Sequence, residues 1–292
     1  MPALLDDLNQ ACPIVFAPTG MVPTREMTPH VPLQPTEIAA DVRAACEIGI
    51  TTVHLHARDA DGAPAWERAI YAELVERVRA DNPDLVINVS TSGRTWSEIE
   101  KRADCLALDG DLKPDMASLT LSSLNFMSGA SVNAPDMVRG LARIMRDRGI
   151  VPELEIFDLG MVNVAHVLRK EGLLVGPIAA NLFFGNIAGM QPTLGEYGVA
   201  VDRLPDDVTW CGAGLGSFAA TAQALAINAG GGVRVGLEDG IHLDRARTVL
   251  ATNADLVRRV HAQLAVSGRT MMSSQEYRRR VLAPRPGAVV VA

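Results

Sequence analysis

Gly230-Gly231-Gly232-Val233-Arg234-Val235-Gly236-Leu237-Glu238-Asp239-Gly240 reads as a short β-branched strand, fenced by glycines, that runs directly into two adjacent carboxylates. By itself the Glu-Asp-Gly end reads more readily as a solvated turn. Its weight comes from runs of the same kind that recur along the whole chain. Working back from Gly232 to Val235, strands are expected at Val208 to Gly212, Ala179 to Phe184, Glu153 to Phe157, Met116 to Thr120, Leu85 to Ser90, Thr52 to His56 and Ile14 to Ala17. Helical stretches separate them, so a strand-helix unit repeats about eight times, the pattern of a parallel sheet covered by helices.

Pro35-Thr36-Glu37 opens the first long helix, with Thr36 placed to cap it, Ile38, Val42 and Ala45 on one stripe, and Gly49 ending it. Residues 66–80, 95–106, 134–148 and 253–266 read likewise. No linker, low-complexity tract or sequence repeat interrupts the series. The expected fold is therefore α/β, a (β/α)8 TIM barrel forming a single domain over residues 1–292, since about 250 residues suffice for such a barrel around one core. An open doubly wound sheet is the competitor, because periodicity does not show whether the first and last strands pair.

Composition agrees with this class. Hydrophobic residues make up 48% of the chain and aromatic ones 4%, which suits small side chains packed between helices and buried strands. A formal charge of −7, with no cluster of Lys or Arg, argues against nucleic acid or an anionic membrane as the main partner. The first 18 residues carry acids where a secretory signal needs bases, and their apolar run is too short to span a bilayer, so a cytoplasmic location is expected. Cys12, Cys46, Cys105 and Cys211 are scattered singly and read as buried free thiols.

The chemistry begins at Val53-His54-Leu55-His56. Alternation along a strand turns both imidazoles the same way, so both can bind one ion, although two separately satisfied histidines in a polar barrel mouth give the same pattern. In a barrel the end of the last strand opens on the same face as every other strand end, so Glu238 can reach an ion held by the histidines. Two His and one Glu leave a coordination position open, as in catalytic zinc sites; iron is the rival metal. Thr19, Ser90, Thr91, Arg94, Thr120, Asn125 and Glu155 fall at other strand ends, where hydroxyls, amides and charges can orient an oxygen-rich substrate; singly, each is more often a cap or turn former. Gly212-Ala213-Gly214-Leu215-Gly216 lacks the third glycine of a dinucleotide fingerprint and reads either as a phosphate cradle or as a tight turn.

Taken together, Thr19-Gly20, His54-Leu55-His56-Ala57-Arg58-Asp59-Ala60-Asp61-Gly62, Asn88-Val89-Ser90-Thr91, Lys113-Pro114-Asp115-Met116-Ala117-Ser118-Leu119, Asn125-Phe126, Pro152-Glu153-Leu154-Glu155 and Arg234-Val235-Gly236-Leu237-Glu238-Asp239 resemble the β-keto acid cleavage enzymes. The resemblance implies a (β/α)8 barrel and a Zn²⁺, or another divalent metal, on His54, His56 and Glu238. It implies acetyl-CoA as co-substrate in a retro-Claisen-type exchange, in which a β-keto acid and acetyl-CoA give acetoacetate and a new acyl-CoA. Catalytic roles carry over to Ser90, Arg234, Asp239 and Thr120, and a homotetramer is implied as well. Because guanidinium stays protonated, Arg234 is expected to stabilise developing negative charge, oriented by Asp239, rather than to act as a base.

The chain departs from that pattern in two places. The amino-keto-acid members carry an acidic residue just after the first Thr-Gly, whereas here the sequence is Thr19-Gly20-Met21-Val22-Pro23, so a neutral or anionic keto acid is expected. The usual LEDN reads LEDG, with Gly240 in place of the amide. Arg94 is placed to meet a distal carboxylate, a coenzyme A phosphate, or nothing. Rival readings are a metal-dependent hydrolase or other lyase, a non-catalytic metal- or ligand-binding protein, and a nicotinamide oxidoreductase. The first wants further histidines at later strand ends, yet His166 falls in an expected helix.

Overall fold

A computed structural model of the chain describes residues 10–282; the reading of the first nine residues and the two ends of the expected domain lie outside it. Eight parallel strands close into a barrel. In chain order they are β1 (Ile14–Phe16), β2 (Thr52–Leu55), β3 (Val86–Val89), β4 (Met116–Thr120), β7 (Val151–Ile156), β8 (Ile178–Phe184), β9 (Val208–Gly214) and β10 (Gly232–Val235). The first and last strands pair in register, Ile14 with Val233 and Phe16 with Val235, which removes the open-sheet alternative. Within the expected strand-helix series the structure inserts an antiparallel hairpin, β5 (Leu124–Phe126) and β6 (Gly129–Ser131), on the loop after β4.

The main helices are α1 (Pro35–Ile48), α2 (Arg68–Asp81), α3 (Ile99–Ala103), α4 (Pro135–Arg148), α5 (Leu159–Lys170), α6 (Leu194–Asp202), α7 (Ala219–Asn228), α8 (Asn253–Ser267) and the short α9 (Ser274–Tyr277). The start of α1 differs from expectation: Gln34 is the cap residue and Thr36 lies in the first turn. Glu37 explains the shift, because its carboxylate accepts from the backbone N–H groups of Leu33 and Gln34 and anchors the turn one step earlier. The expected helix at residues 95–106 is shorter and ends in a 3₁₀ turn over Asp104–Ala107. No helix among the described residues is long and apolar enough to cross a membrane.

Strand alternation divides the core into two compartments. Val53, Leu55, Ile87, Val89, Ala117, Leu119, Leu154, Ile156, Ala180, Leu182, Val233 and Val235 belong to the apolar layer between barrel and helices. Their neighbours of opposite parity point inward, and from the middle of the barrel upward these are His54, Asn88, Ser118, Thr120, Glu153, Glu155, Asn181 and Arg234. Phe183, of the same parity, adds an apolar face at the open end, and the floor is apolar, where Val86, Met116 and Ala179 meet Met272, Tyr277 and Val281. Thr51 ties that plug in place, its hydroxyl donating to the Met272 carbonyl at 2.6 Å while the Ser274 hydroxyl donates to the Thr51 carbonyl at 2.7 Å. Cys12, Cys105 and Cys211 are buried and Cys46 is partly exposed; burial pushes the Cys105 thiol up to about 12.

Tyr277 is 1% exposed and fills the barrel floor. Tyr277→Ala is expected to lower stability by about 3–5 kcal/mol, as for other buried aromatic residues truncated to Ala, measured by urea unfolding; a loss below about 1 kcal/mol would show that the floor does not depend on the plug.

Candidate functional site

The open end of the barrel converges on three side chains. His54 closes on His56 with their Nε2 atoms 3.0 Å apart, and Glu238 Oε1 lies 3.1 Å from His56 Nε2 and 3.8 Å from His54 Nε2. Their ligand atoms all fall within 4.8 Å of one another. Glycine makes this approach possible from strands far apart in sequence. Gly20, with φ +67°, packs so tightly on Glu238 that a Cβ there would lie 2.5 Å from its Cγ, and Gly236, with φ +155°, leaves room for the Ala17 carbonyl. Arg58, buried beneath, donates to the carbonyls of Gly20, Pro23 and Gly62 and so pins the loops after β1 and β2 that carry this contact.

Arg234 is the largest fully buried side chain among the described residues. Its Nη2 lies 2.7 Å from Glu238 Oε1, its Nε 3.0 Å from Asp239 Oδ2, and its Nη1 4.0 Å from Glu155 Oε1. Burial opposes its charge, but Asp239, Glu238, Glu155 and Glu153 outweigh burial and raise its pKa above the ordinary guanidinium value. The two adjacent acids respond in opposite directions. Burial pushes Asp239 up to about 6 despite Arg234, whereas for Glu238 the pull of Arg234 and both histidines exceeds the cost of burial and holds it well below the usual range. Burial holds His56 below its ordinary pKa, in the neutral form that can ligate a metal.

These residues fit a divalent cation on two grounds. The donors are two imidazole nitrogens and a carboxylate. Four carboxylates, Glu153, Glu155, Glu238 and Asp239, also surround one guanidinium, so the pocket carries excess negative charge, and Glu238 Oε2 is buried with no hydrogen-bond partner. Glu153, absent from the expected site, sits behind His54. Its Oε2 is 3.6 Å from His54 Nδ1, just beyond hydrogen-bond range, and accepts from the Asn88 side-chain amide. The signal for it was present in the sequence, since Glu153 and Glu155 share strand parity.

The residues expected from the sequence do not all face the same space. His56, Ser90, Arg94, Thr120, Glu155, Arg234, Glu238 and Asp239 line one cavity with Met21 and Val22. The Thr120 hydroxyl donates to Glu155 Oε2 at 2.5 Å. Thr19 is wholly buried next to the cavity, its hydroxyl unpartnered. Thr91 faces an adjoining space instead, and its hydroxyl is taken up by the Ser118 carbonyl at 2.6 Å. Asn125 is exposed on the hairpin because Leu124 and Phe126, of opposite parity, turn toward the cavity. The glycine run of residues 212–216 forms close packing rather than an open cradle: a Cβ on Gly212 would strike Tyr197 Oη at 1.9 Å and one on Gly214 the Phe218 carbonyl at 2.5 Å. His166 lies on α5, bonded to the Arg203 carbonyl.

Replacing Arg234 by Met removes the one guanidinium shared by these carboxylates. In metal-free protein this change is expected to destabilise the fold by about 3–5 kcal/mol, with partial recovery in Arg234→Met/Asp239→Asn, both read by urea denaturation. Equal stability of wild type and the single variant would contradict the charge balance described here.

The fold and site invite comparison with characterised proteins. The chain is 35% identical over 274 residues to the 3-oxoadipate:acetyl-CoA acetyltransferase of Cupriavidus necator, covering 93% of this chain and 94% of that protein. It is 31% identical to the 3-keto-5-aminohexanoate cleavage enzyme of Fusobacterium nucleatum, over 91% of this chain and 95% of that one. Among solved structures, apo ObcA superposes with a TM-score of 0.74 at 21% identity, over 86% of this chain and 65% of that chain, a likeness of fold. Residues 12–282 match the beta-keto acid cleavage enzyme family, and the chain belongs to it.

Proposed function

We propose that the protein is a metal-dependent β-keto acid cleavage enzyme that converts a β-keto acid and acetyl-CoA into acetoacetate and a new acyl-CoA. The observation that carries this reading is the cluster of His54, His56 and Glu238 joined to Arg234, with His56, Glu238 and Arg234 opening on one cavity, in a chain of this family. In the overall exchange the bond between C2 and C3 of the keto acid breaks and C2 joins the acetyl carbonyl carbon. The old thioester opens, and the coenzyme A sulfur takes the remaining acyl group. Atoms and charge balance without water or a redox partner.

His54, His56 and Glu238 would hold the ion, which when bound supplies Lewis-acid polarisation of the substrate oxygens. The rest of the work falls to side chains. Arg234 keeps its proton throughout and offers a fixed positive charge where negative charge develops on substrate, with Asp239 holding its Nε edge in orientation. Glu155 accepts the Thr120 hydroxyl, which fixes both groups at the cavity wall, and Ser90, whose hydroxyl oxygen accepts from the Ser92 N–H, lines the same space. Phe157, Phe183 and Leu215 close the wall with apolar surface and limit water at the reacting carbons. Val22, 44% exposed at the cavity, gives a substrate ammonium no partner, so the proposal extends to keto acids without an amino group. By resemblance it also extends to a cytoplasmic homotetramer, which light scattering checks for assembly.

Acetoacetate formation from acetyl-CoA and a panel of β-keto acids tests the proposal. Turnover is expected to vanish in His54→Ala/His56→Ala protein and after chelation, and to return on adding a divalent ion to chelated wild type. Bound metal without turnover of any acid would redirect the reading to another metal-assisted lyase or hydrolase, and efficient cleavage of 3-keto-5-aminohexanoate would contradict the role of Val22.

Glu153 is assigned the task of keeping a proton on His54 Nδ1, so that Nε2 presents its lone pair to the ion. Glu153→Gln is expected to weaken divalent-ion affinity by about 10- to 100-fold in a competition titration with a chelating dye, a readout independent of turnover. Unchanged affinity would remove Glu153 from the site.

A further inference from the structure

Four arginines stand at or beneath the barrel mouth, and three of them are held by polar partners. Arg58 donates to three backbone carbonyls, Arg102 to two carbonyls and the Asn133 amide oxygen, and Arg234 to its carboxylates. Arg94 differs. Its guanidinium makes no ion pair or side-chain hydrogen bond among the described residues, yet it is partly buried and lines the same cavity as His56, Arg234 and Glu238. It lies over the Phe126 ring, with Cζ 3.8 Å from the centroid. Stacking covers the face of the guanidinium and leaves its N–H edges for a ligand.

The position of Arg94 is built rather than incidental. Arg102 reaches up between the two loops that carry the pair, donating to the Thr91 carbonyl before Arg94 and to Val132 and Asn133 just beyond the hairpin that bears Phe126. Gly93 lies so close to that clamp that a Cβ would stand 2.5 Å from Arg102 Nη1 and 2.7 Å from the Val132 carbonyl. The cavity that Arg94 lines has an apolar share, Met21, Val22, Leu124 and Phe126, beside the acids of the reacting centre, and none of those acids pairs with it. An unpaired cation held in such surroundings calls for an anionic partner with two acceptor oxygens, which a carboxylate offers in matching geometry.

We propose that Arg94, stacked on Phe126, is the specificity-determining residue for a second, distal carboxylate, and that the substrate is a β-keto dicarboxylate. This rests on the reaction proposed above. A coenzyme A phosphate presents similar oxygens, but it lies a whole pantetheine arm away from the thioester, whereas Arg94 shares the cavity of the reacting groups and feels the charges of Glu238 and Glu155.

The test compares a six-carbon β-keto diacid with the neutral-tailed six-carbon β-keto monoacid in wild type, Arg94→Gln and Arg94→Lys. Wild type is expected to favour the diacid. The ratio of kcat/KM between the two acids should fall about 10- to 150-fold in Arg94→Gln, with partial rescue in Arg94→Lys, which keeps the charge without the fork. An unchanged ratio overturns the proposal, whether both acids decline together or the KM for acetyl-CoA rises alone; the latter outcome assigns Arg94 to coenzyme A. Should wild type turn over neither acid, the reaction reading fails separately, and calorimetry with adipate and hexanoate still decides the subsite. Adipate binding that exceeds hexanoate binding in wild type, and loses that margin in Arg94→Gln, supports it, and equal binding of the two overturns it.

Discussion

The site depends on one buried guanidinium. Barrel interiors are ordinarily filled with branched apolar side chains, but above its floor this one holds Arg234 amid Glu153, Glu155, Glu238 and Asp239. Each of those carboxylates would be costly to bury alone, and Arg234 would be costlier without them. The arrangement is stable only as a set. One cation among four acids still leaves negative charge in excess, and that excess lies at the edge where His54, His56 and Glu238 bring three metal-type donors together. The same electrostatic imbalance that makes the barrel interior unusual therefore prepares it for a divalent ion.

Around this centre the chain uses buried arginines as structural pins. Arg58 and Arg102 are directed at backbone carbonyls rather than acids, and each joins two loops after different strands. Loops at a barrel mouth have few apolar contacts of their own, so pins of this kind are what keeps Gly20 against Glu238 and the β5–β6 hairpin over the cavity. Burial lowers the pKa of Arg102 to about 10, still far above neutrality, so it donates as a cation at any physiological pH.

The barrel was legible in the sequence because its strands obey strong periodic rules. Met116 to Thr120 and Gly232 to Val235 have the same limits in sequence and structure, and the other strands differ by one or two residues at an end. Closure was not legible, since nothing in the composition of Ile14 to Ala17 says that it pairs with β10. The hairpin was missed for a physical reason: its strands are three residues each, too short for a period of two to register. Among the site residues, His54, His56, Glu238 and Arg234 followed from parity and strand-end position. Glu153 shared the parity of Glu155, but its place behind His54 and the stacking of Phe126 come from neighbours that only the tertiary fold supplies, and Thr91 bonds the Ser118 carbonyl of the adjacent strand rather than facing the cavity.

Isotope tracing is the most direct measurement of the central claim, that a carbon-carbon bond is exchanged between a β-keto acid and acetyl-CoA at this site. With acetyl-CoA carrying ¹³C in both acetyl carbons, the account predicts label at C3 and C4 of acetoacetate and an unlabelled acyl-CoA product. Labelled free acetate, or label retained in the thioester product, would contradict it.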